Sequence, residues 1–202
     1  MPLKHPNSVP DLEAPLNGEA LYIVYPDYPV NTDTWYGYTS LVGHAGALLI
    51  DKNGLTKYYE FGRYPPGDDG RVRKIDVPNV VIDGNGKATS DTLKEVLTTL
   101  AERSGKGTRI RAAYFLSVDF QKMETVATSA QPNYHVLTNN CGHYAEKIIL
   151  AGNTKIDKPL IANPMPINFV DEYIEEKNAE VLFDPATGTF SIGQGDESDA
   201  KI

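Results

Sequence analysis

The run Gly43-His44-Ala45-Gly46-Ala47-Leu48-Leu49-Ile50-Asp51-Lys52-Asn53-Gly54 is the feature that most constrains the fold. Asp51-Lys52-Asn53-Gly54 suits a type I turn closed by a left-handed glycine, which makes a three-residue hairpin loop. Strand-like segments flank it, His44 to Asp51 before and Thr56 to Gly62 after. If Asp51 faces Leu55 across this turn, Gly62 faces His44, and Glu60 lies diagonal to His44 on the same side of the ladder. A two-residue loop would shift the register by one and turn Glu60 to the other side. Asp, Asn and Gly at their turn positions favour the first register.

The rest of the chain interleaves helices and strands. Residues Met1 to Gly18 carry Pro2, Pro6, Pro10 and Pro15 and read as an extended lead-in. Leu21 to Tyr25 reads as a strand. The loop from Pro26 to Ser40 holds Trp35, which either walls a substrate cleft or caps the edge of the core. Val72 to Val77 and Arg109 to Phe115 read as further strands. Ser90 or Asp91 caps a helix from Thr92 to Arg103, with Leu93, Val96, Leu97 and Leu100 on one face. A second helix is expected over Val118 to Ala130. Tyr134 to Thr138 reads as a short extended lead to a helix at Cys141. Pro166 opens a last helix through Lys177. The polar, acidic tail Gly193 to Ile202 reads as disordered. The expected class is α+β. The expected division is a lead-in over 1–18, a catalytic domain over 19–178 and a C-terminal extension over 179–202.

Composition removes some functions. The formal net charge is −8 in 202 residues. Nucleic acid and anionic membrane are poor partners for such a surface, because phosphate binding needs a field of Lys and Arg. One cysteine cannot make an internal disulfide. The first residues show no apolar segment of a cleavable leader, and no run approaches a membrane span. A chain made in the cytoplasm without a leader or stable membrane anchor is therefore expected.

The cysteine, Cys141, stands in Tyr134-His135-Val136-Leu137-Thr138-Asn139-Asn140-Cys141-Gly142-His143-Tyr144, before the apolar run to Leu150. A thiol at a helix N-terminus is placed where the dipole and free N–H groups favour the thiolate. Near neutral pH a thiol nucleophile also needs a base. His5 lies in the lead-in. His135 is too close to fold back easily, and His143, two residues on, points to the opposite side of the helix. His44 is left as the base, with Glu60 as the group that orients it. The Cys141 backbone N–H with one other donor would hold a developing oxyanion. Asn139 and Asn140 are candidate side-chain donors or turn stabilisers, and Tyr22 and Trp35 candidate substrate contacts. Two readings stay open on residues alone: a reactive Cys–His pair, or a buried inert thiol beside an exposed strand glutamate. No zinc-ligand spacing and no nucleotide loop is present, so neither metal nor cofactor is expected.

Two patches carry a family likeness. Gly43-His44-Ala45-Gly46 through Tyr59-Glu60-Phe61-Gly62, and Asn140-Cys141-Gly142-His143-Tyr144, resemble the motifs of circularly permuted papain-fold thiol hydrolases. These include permuted NlpC/P60 enzymes, lecithin:retinol acyltransferase-like proteins and PPPDE-like peptidases. Their order, His first and Cys later, is the order here. The resemblance implies an antiparallel sheet packed against helices, with Cys141 as nucleophile at a helix N-terminus and His44 as base. It leaves the third group open.

The same resemblance implies a function: an amidase or peptidase that cuts peptide bonds of peptidoglycan through a thioester. Some such enzymes are antibacterial toxins delivered to a rival's periplasm by the type VI secretion apparatus and matched by an immunity protein. The alternatives are an isopeptidase or protease on protein conjugates, a non-enzymatic binding module, and a lipid acyltransferase.

Overall fold

A computed structural model describes residues 17–31, 39–40, 43–64 and 69–194. Trp35, most of the lead-in and the end of the tail lie outside the described residues.

The hairpin forms around the expected turn. Asp51 N–H donates to the Leu55 carbonyl at 3.0 Å, and the Asp51 carboxylate accepts from the N–H groups of Asn53 and Leu55, both at 2.8 Å. Gly54 takes φ +86°, and a Cβ there would lie 2.1 Å from the Val80 carbonyl oxygen. Only glycine fits both conditions. The turn joins β4 (His44–Ile50) to β5 (Thr56–Gly62), with Gly46 opposite Glu60 and Ile50 opposite Thr56. This is the register that keeps Glu60 on the side of His44.

Five more strands complete a seven-stranded antiparallel sheet: β1 (Gly18–Tyr25), β6 (Arg71–Ile75), β7 (Ile110–Val118), β8 (Ala179–Asp184) and β9 (Thr189–Gln194). The order is β6-β5-β4-β1-β7-β8-β9. A separate short ladder pairs β2 (Val30–Asn31) with β3 (Thr39–Ser40). Among the described residues the helices are α1 (Ser90–Arg103), α2 (Phe120–Ala127), α3 (Cys141–Gly152) and α4 (Pro166–Glu175). The class is α+β.

The central strand β1 is buried on both faces, and its alternation sorts the core into two layers. Ala20, Tyr22 and Val24 pack with Met123, Tyr144, Ile148, Phe169 and Tyr173 of α2, α3 and α4. Leu21, Ile23 and Tyr25 pack with Leu93, Val96, Leu97 and Leu100 of α1. Each fully buried large side chain contributes about 1.5–3 kcal/mol. The sheet is thus sandwiched between α1 and the other three helices.

Five local expectations are corrected. The first strand begins at Gly18 and includes Glu19, whose buried carboxylate accepts from Tyr114 Oη and from Ala88 N–H. The strand expected to end at Phe115 runs to Val118, and Asp119 rather than Val118 starts the next helix, accepting from Lys122 N–H at 3.0 Å. The first helix starts at Ser90 after Thr89. Residues Tyr134 to Thr138 are not an extended run: His135 and Asn139 exchange both backbone hydrogen bonds, at 3.0 and 2.9 Å, and close a tight turn. Past residue 178, β8 pairs with β7 and β9 with β8, so this segment builds the outer strands of the same sheet.

Candidate active site

Cys141 is the first residue of α3, and Asn140 caps that helix. The Asn140 side chain accepts from His143 N–H at 3.1 Å and donates to the carbonyls of Val136 at 2.7 Å and Pro164 at 2.8 Å. Both amide hydrogens are spent, so Asn140 holds the helix start rather than offering a donor to substrate. Asn139 does the same for the preceding turn, donating to Pro132 and Asn133 carbonyls at 2.9 and 3.0 Å. Of the two roles expected for these asparagines, the geometry fits turn stabilisation. Tyr22 is fully buried beneath α3, and its hydroxyl donates to the Gly142 carbonyl at 3.3 Å. It seats the helix and has no surface to offer a substrate.

His44 is the first residue of β4 and follows Gly43, which takes φ +74°. Its Nε2 lies 3.0 Å from Glu60 Oε2. A carboxylate only accepts, so Nε2 carries the proton of that bond. The Tyr64 hydroxyl lies 3.1 Å from the same nitrogen. Nδ1 is therefore the ring nitrogen that Glu60 leaves free of its bond, and Cys141 lies close enough for its charge to act on the imidazole. Burial works against the imidazolium, but Cys141 and Glu60 outweigh it and push His44 up to about 10. A protonated His44 beside Cys141 supplies the counter-charge that a thiolate requires.

Glu60 is buried and is held by two groups besides His44. Ser104 Oγ donates to Oε2, and Arg73 Nε lies 3.4 Å from Oε1. Burial would raise the Glu60 carboxyl; His44, Ser104 and Arg73 prevail and hold it below its ordinary value. Ser104 is the cap residue at the C-terminus of α1, so the carboxylate is anchored from the α1 layer. Cys141 comes from α3, in the opposite layer. His44, at the end of its strand, links the two.

Aromatic rings close around this group. Tyr25 stacks on His44 at a centroid distance of 6.1 Å, Tyr28 lies at 5.2 Å, and Tyr64 meets it edge-on at 6.3 Å. Arg73 stacks on Tyr64 at 4.4 Å. Burial first, and the charge of Cys141 next, raise the Tyr134 phenol above its ordinary value. Ser104, Tyr64 and Arg73 were not legible as site residues, because none lies near the His or Cys motif with a spacing that signals contact.

The other described histidines have structural partners. His143 Nδ1 lies 3.0 Å from Asn140 Oδ1 and its ring meets Phe169 edge-on; burial, with Lys147 and Lys158 nearby, lowers its pKa. His135 Nδ1 bonds Leu137 N–H and Thr138 Oγ1 within its own turn. Among the described residues no cluster of three His, Cys, Asp or Glu side chains could hold a metal ion. Among them, too, no helix is long and apolar enough to cross a membrane.

Residues 20–158 match the family described as type VI secretion system effector TseH-like, a span that contains His44, Glu60 and Cys141. The fold is similar to the crystal structure of the type VI secretion system effector TseH, with a TM-score of 0.72 and 24% identity over 88% of this chain and 98% of that one. At that identity the likeness concerns the fold alone. No curated protein matches the sequence.

Proposed function

Because the chain belongs to the TseH-like family of type VI secretion effectors, we propose that it acts in the target cell as a cysteine hydrolase of permuted papain-like fold. Cys141 is the nucleophile, His44 the general base and Glu60 the carboxylate that orients His44. One observation carries this reading: the buried His44 imidazole is bonded through Nε2 to the Glu60 carboxylate of β5 and feels the charge of Cys141 at the start of α3, two groups distant in sequence.

The chemistry follows from that arrangement. The thiolate sulfur attacks the carbonyl carbon of an amide, and the C=O pair moves onto oxygen beside the Cys141 backbone N–H. As C=O re-forms, the C–N bond breaks, and the leaving nitrogen takes the proton of His44. Water then attacks the thioester, His44 accepts its proton, and acid and thiol are released. No cofactor takes part. The substrate we favour is the peptide part of peptidoglycan. It suits a secreted antibacterial effector, and the family's delivery route places such a protein in a target cell. A producing cell would then need an immunity protein as partner.

Incubating the 202-residue chain with purified peptidoglycan tests this directly. Release of muropeptides with new amine and carboxyl ends is expected, abolished in Cys141→Ala and reduced about 10²–10⁴-fold in His44→Ala, the range a general base supplies. Activity that survives in His44→Ala would contradict the pair. Cleavage of protein conjugates with no muropeptide release would transfer the enzyme to the isopeptidase class.

A further inference from the structure

The loop between α1 and β7 touches the site at successive residues. Ser104 holds Glu60. Gly105 lies against Tyr25, the ring that stacks on His44: a Cβ there would come within 2.6 Å of Tyr25 Cδ1. Lys106 comes next. Its ammonium stands 4.2 Å from the centre of the Tyr28 ring, and the Tyr28 ring stands 5.2 Å from the His44 ring. Lys106 is thus one aromatic ring away from the imidazole.

Two features set this lysine apart. It takes φ +54°, in the left-handed region, where a side chain is strained. Glycine, which flanks it on both sides, would take that conformation freely. Its charge is also unanswered. Asp27, next to Tyr28 in the chain, accepts instead from Arg109, Nε at 2.8 Å and Nη2 at 3.1 Å. Lys106 is exposed, meets the Pro29 carbonyl at 3.4 Å and the Tyr28 ring, and pairs with no carboxylate among the described residues. A second cation near His44, Arg73, lies over Tyr64 and 3.4 Å from Glu60 Oε1, so its charge is met. The chain as a whole is acidic, with a formal net charge of −8. The Lys106 ammonium therefore creates a local attraction for anions beside the reacting groups, on a molecule that otherwise repels them.

We propose that Lys106 is a specificity residue: its ammonium binds a free carboxylate of the substrate peptide, close in that chain to the amide that Cys141 attacks. This inference rests on the hydrolase reading above and narrows its substrate class to anionic peptides. An extended peptide advances about 3.4 Å per residue, so a carboxylate about two or three residues from the scissile bond spans the gap between His44 and Lys106. The ammonium keeps its proton and makes no bond to the reacting atoms. It acts alike on bound substrate and transition state, so it lowers KM and leaves kcat alone.

Three variants test the charge. Lys106→Gln removes it, Lys106→Gly removes it and relieves the left-handed strain, and Lys106→Arg keeps it. The substrates are purified peptidoglycan and the same material with its free carboxylates converted to amides. Wild type and Lys106→Arg are expected to cleave the native form with a KM about two- to fivefold lower, the range of an exposed ion pair. Lys106→Gln and Lys106→Gly should show no such preference, at wild-type kcat. Sodium chloride at about 0.5 M should erase the wild-type preference by screening. A preference that persists in both uncharged variants, or none in wild type, would overturn the proposal.

A second pair of reagents needs no hydrolysis. Maleimidohexanoate and its amide both alkylate a thiol and differ only in the charge at the far end. Faster labelling of Cys141 by the acid, lost in Lys106→Gln, in a protein that leaves peptidoglycan intact would remove the peptidoglycan reading and keep Lys106 as the residue that selects anions. Equal labelling by the two reagents with no cleavage, or no labelling and no cleavage at all, would bring down both.

Discussion

Glu60 looks like a surface residue in the sequence, alternating along a strand with Tyr59 and Phe61. The folded chain buries it and surrounds it with His44, Ser104 and Arg73. A buried carboxylate stripped of those partners would be costly, so the same bonds that keep it charged also fix the imidazole. This coupling makes stability depend on pH. His44 is raised from an unfolded value near 6.5 to about 10, so folding favours its protonated form. The stabilisation is complete below about pH 6.5 and is lost as pH rises through about 10. Urea melts of wild type should therefore show unfolding free energy falling across that window, more steeply than in His44→Ala. In Glu60→Gln the imidazolium loses a counter-charge, and the window should end at lower pH. Parallel wild-type and His44→Ala profiles would mean that His44 is not held charged by its neighbours.

The helix that begins at Cys141 depends on one side chain for its position. Asn140 caps α3, ties the preceding turn through the Val136 carbonyl and ties the segment before α4 through the Pro164 carbonyl. Phe169 of α4 and Tyr22 of β1 then press on Gly142, where a Cβ would meet them at 3.0 and 3.1 Å. The nucleophile is thus located by packing from three elements. Asn140→Ala should cost about 1–2 kcal/mol from the cap alone, seen as a lower thermal midpoint. It should also lower kcat more than it raises KM, because it releases the start of the helix that carries the sulfur. An Asn140→Ala protein with wild-type midpoint and wild-type kcat would show that the cap does not position Cys141.

Across the whole molecule, the sheet brings chemistry from two layers to one end. The α1 layer supplies Ser104 and, through it, Glu60; the α3 layer supplies Cys141. The outer strands β8 and β9 lie on the far side of β1 from the His44 hairpin, yet they complete the core: Val181 and Phe183 are buried against Ile110 and α1. At about 1.5–3 kcal/mol for each such side chain, their loss is comparable to much of a domain's net stability. Ending the chain at Asn178 would also leave β7 as an unpaired edge. The truncated protein should therefore show no cooperative melt near the wild-type midpoint and should aggregate. A truncated chain with wild-type melting would establish residues 179–194 as dispensable to the fold.

What the sequence determined is local and covalent in origin. The Asp51-Lys52-Asn53-Gly54 turn sets a register, because only glycine takes φ +86° against the Val80 carbonyl, and that register puts Glu60 on the side of His44. The Asn-Cys pair sets a helix start with sulfur at its positive end. What only tertiary structure decided is which distant groups close around those two points. Ser104, Tyr64 and Arg73 reach the site through a helix end, a strand end and a neighbouring strand. Contacts between such elements depend on sheet order and helix layering, which arise from burying the whole core at once and leave no spacing in the chain to read.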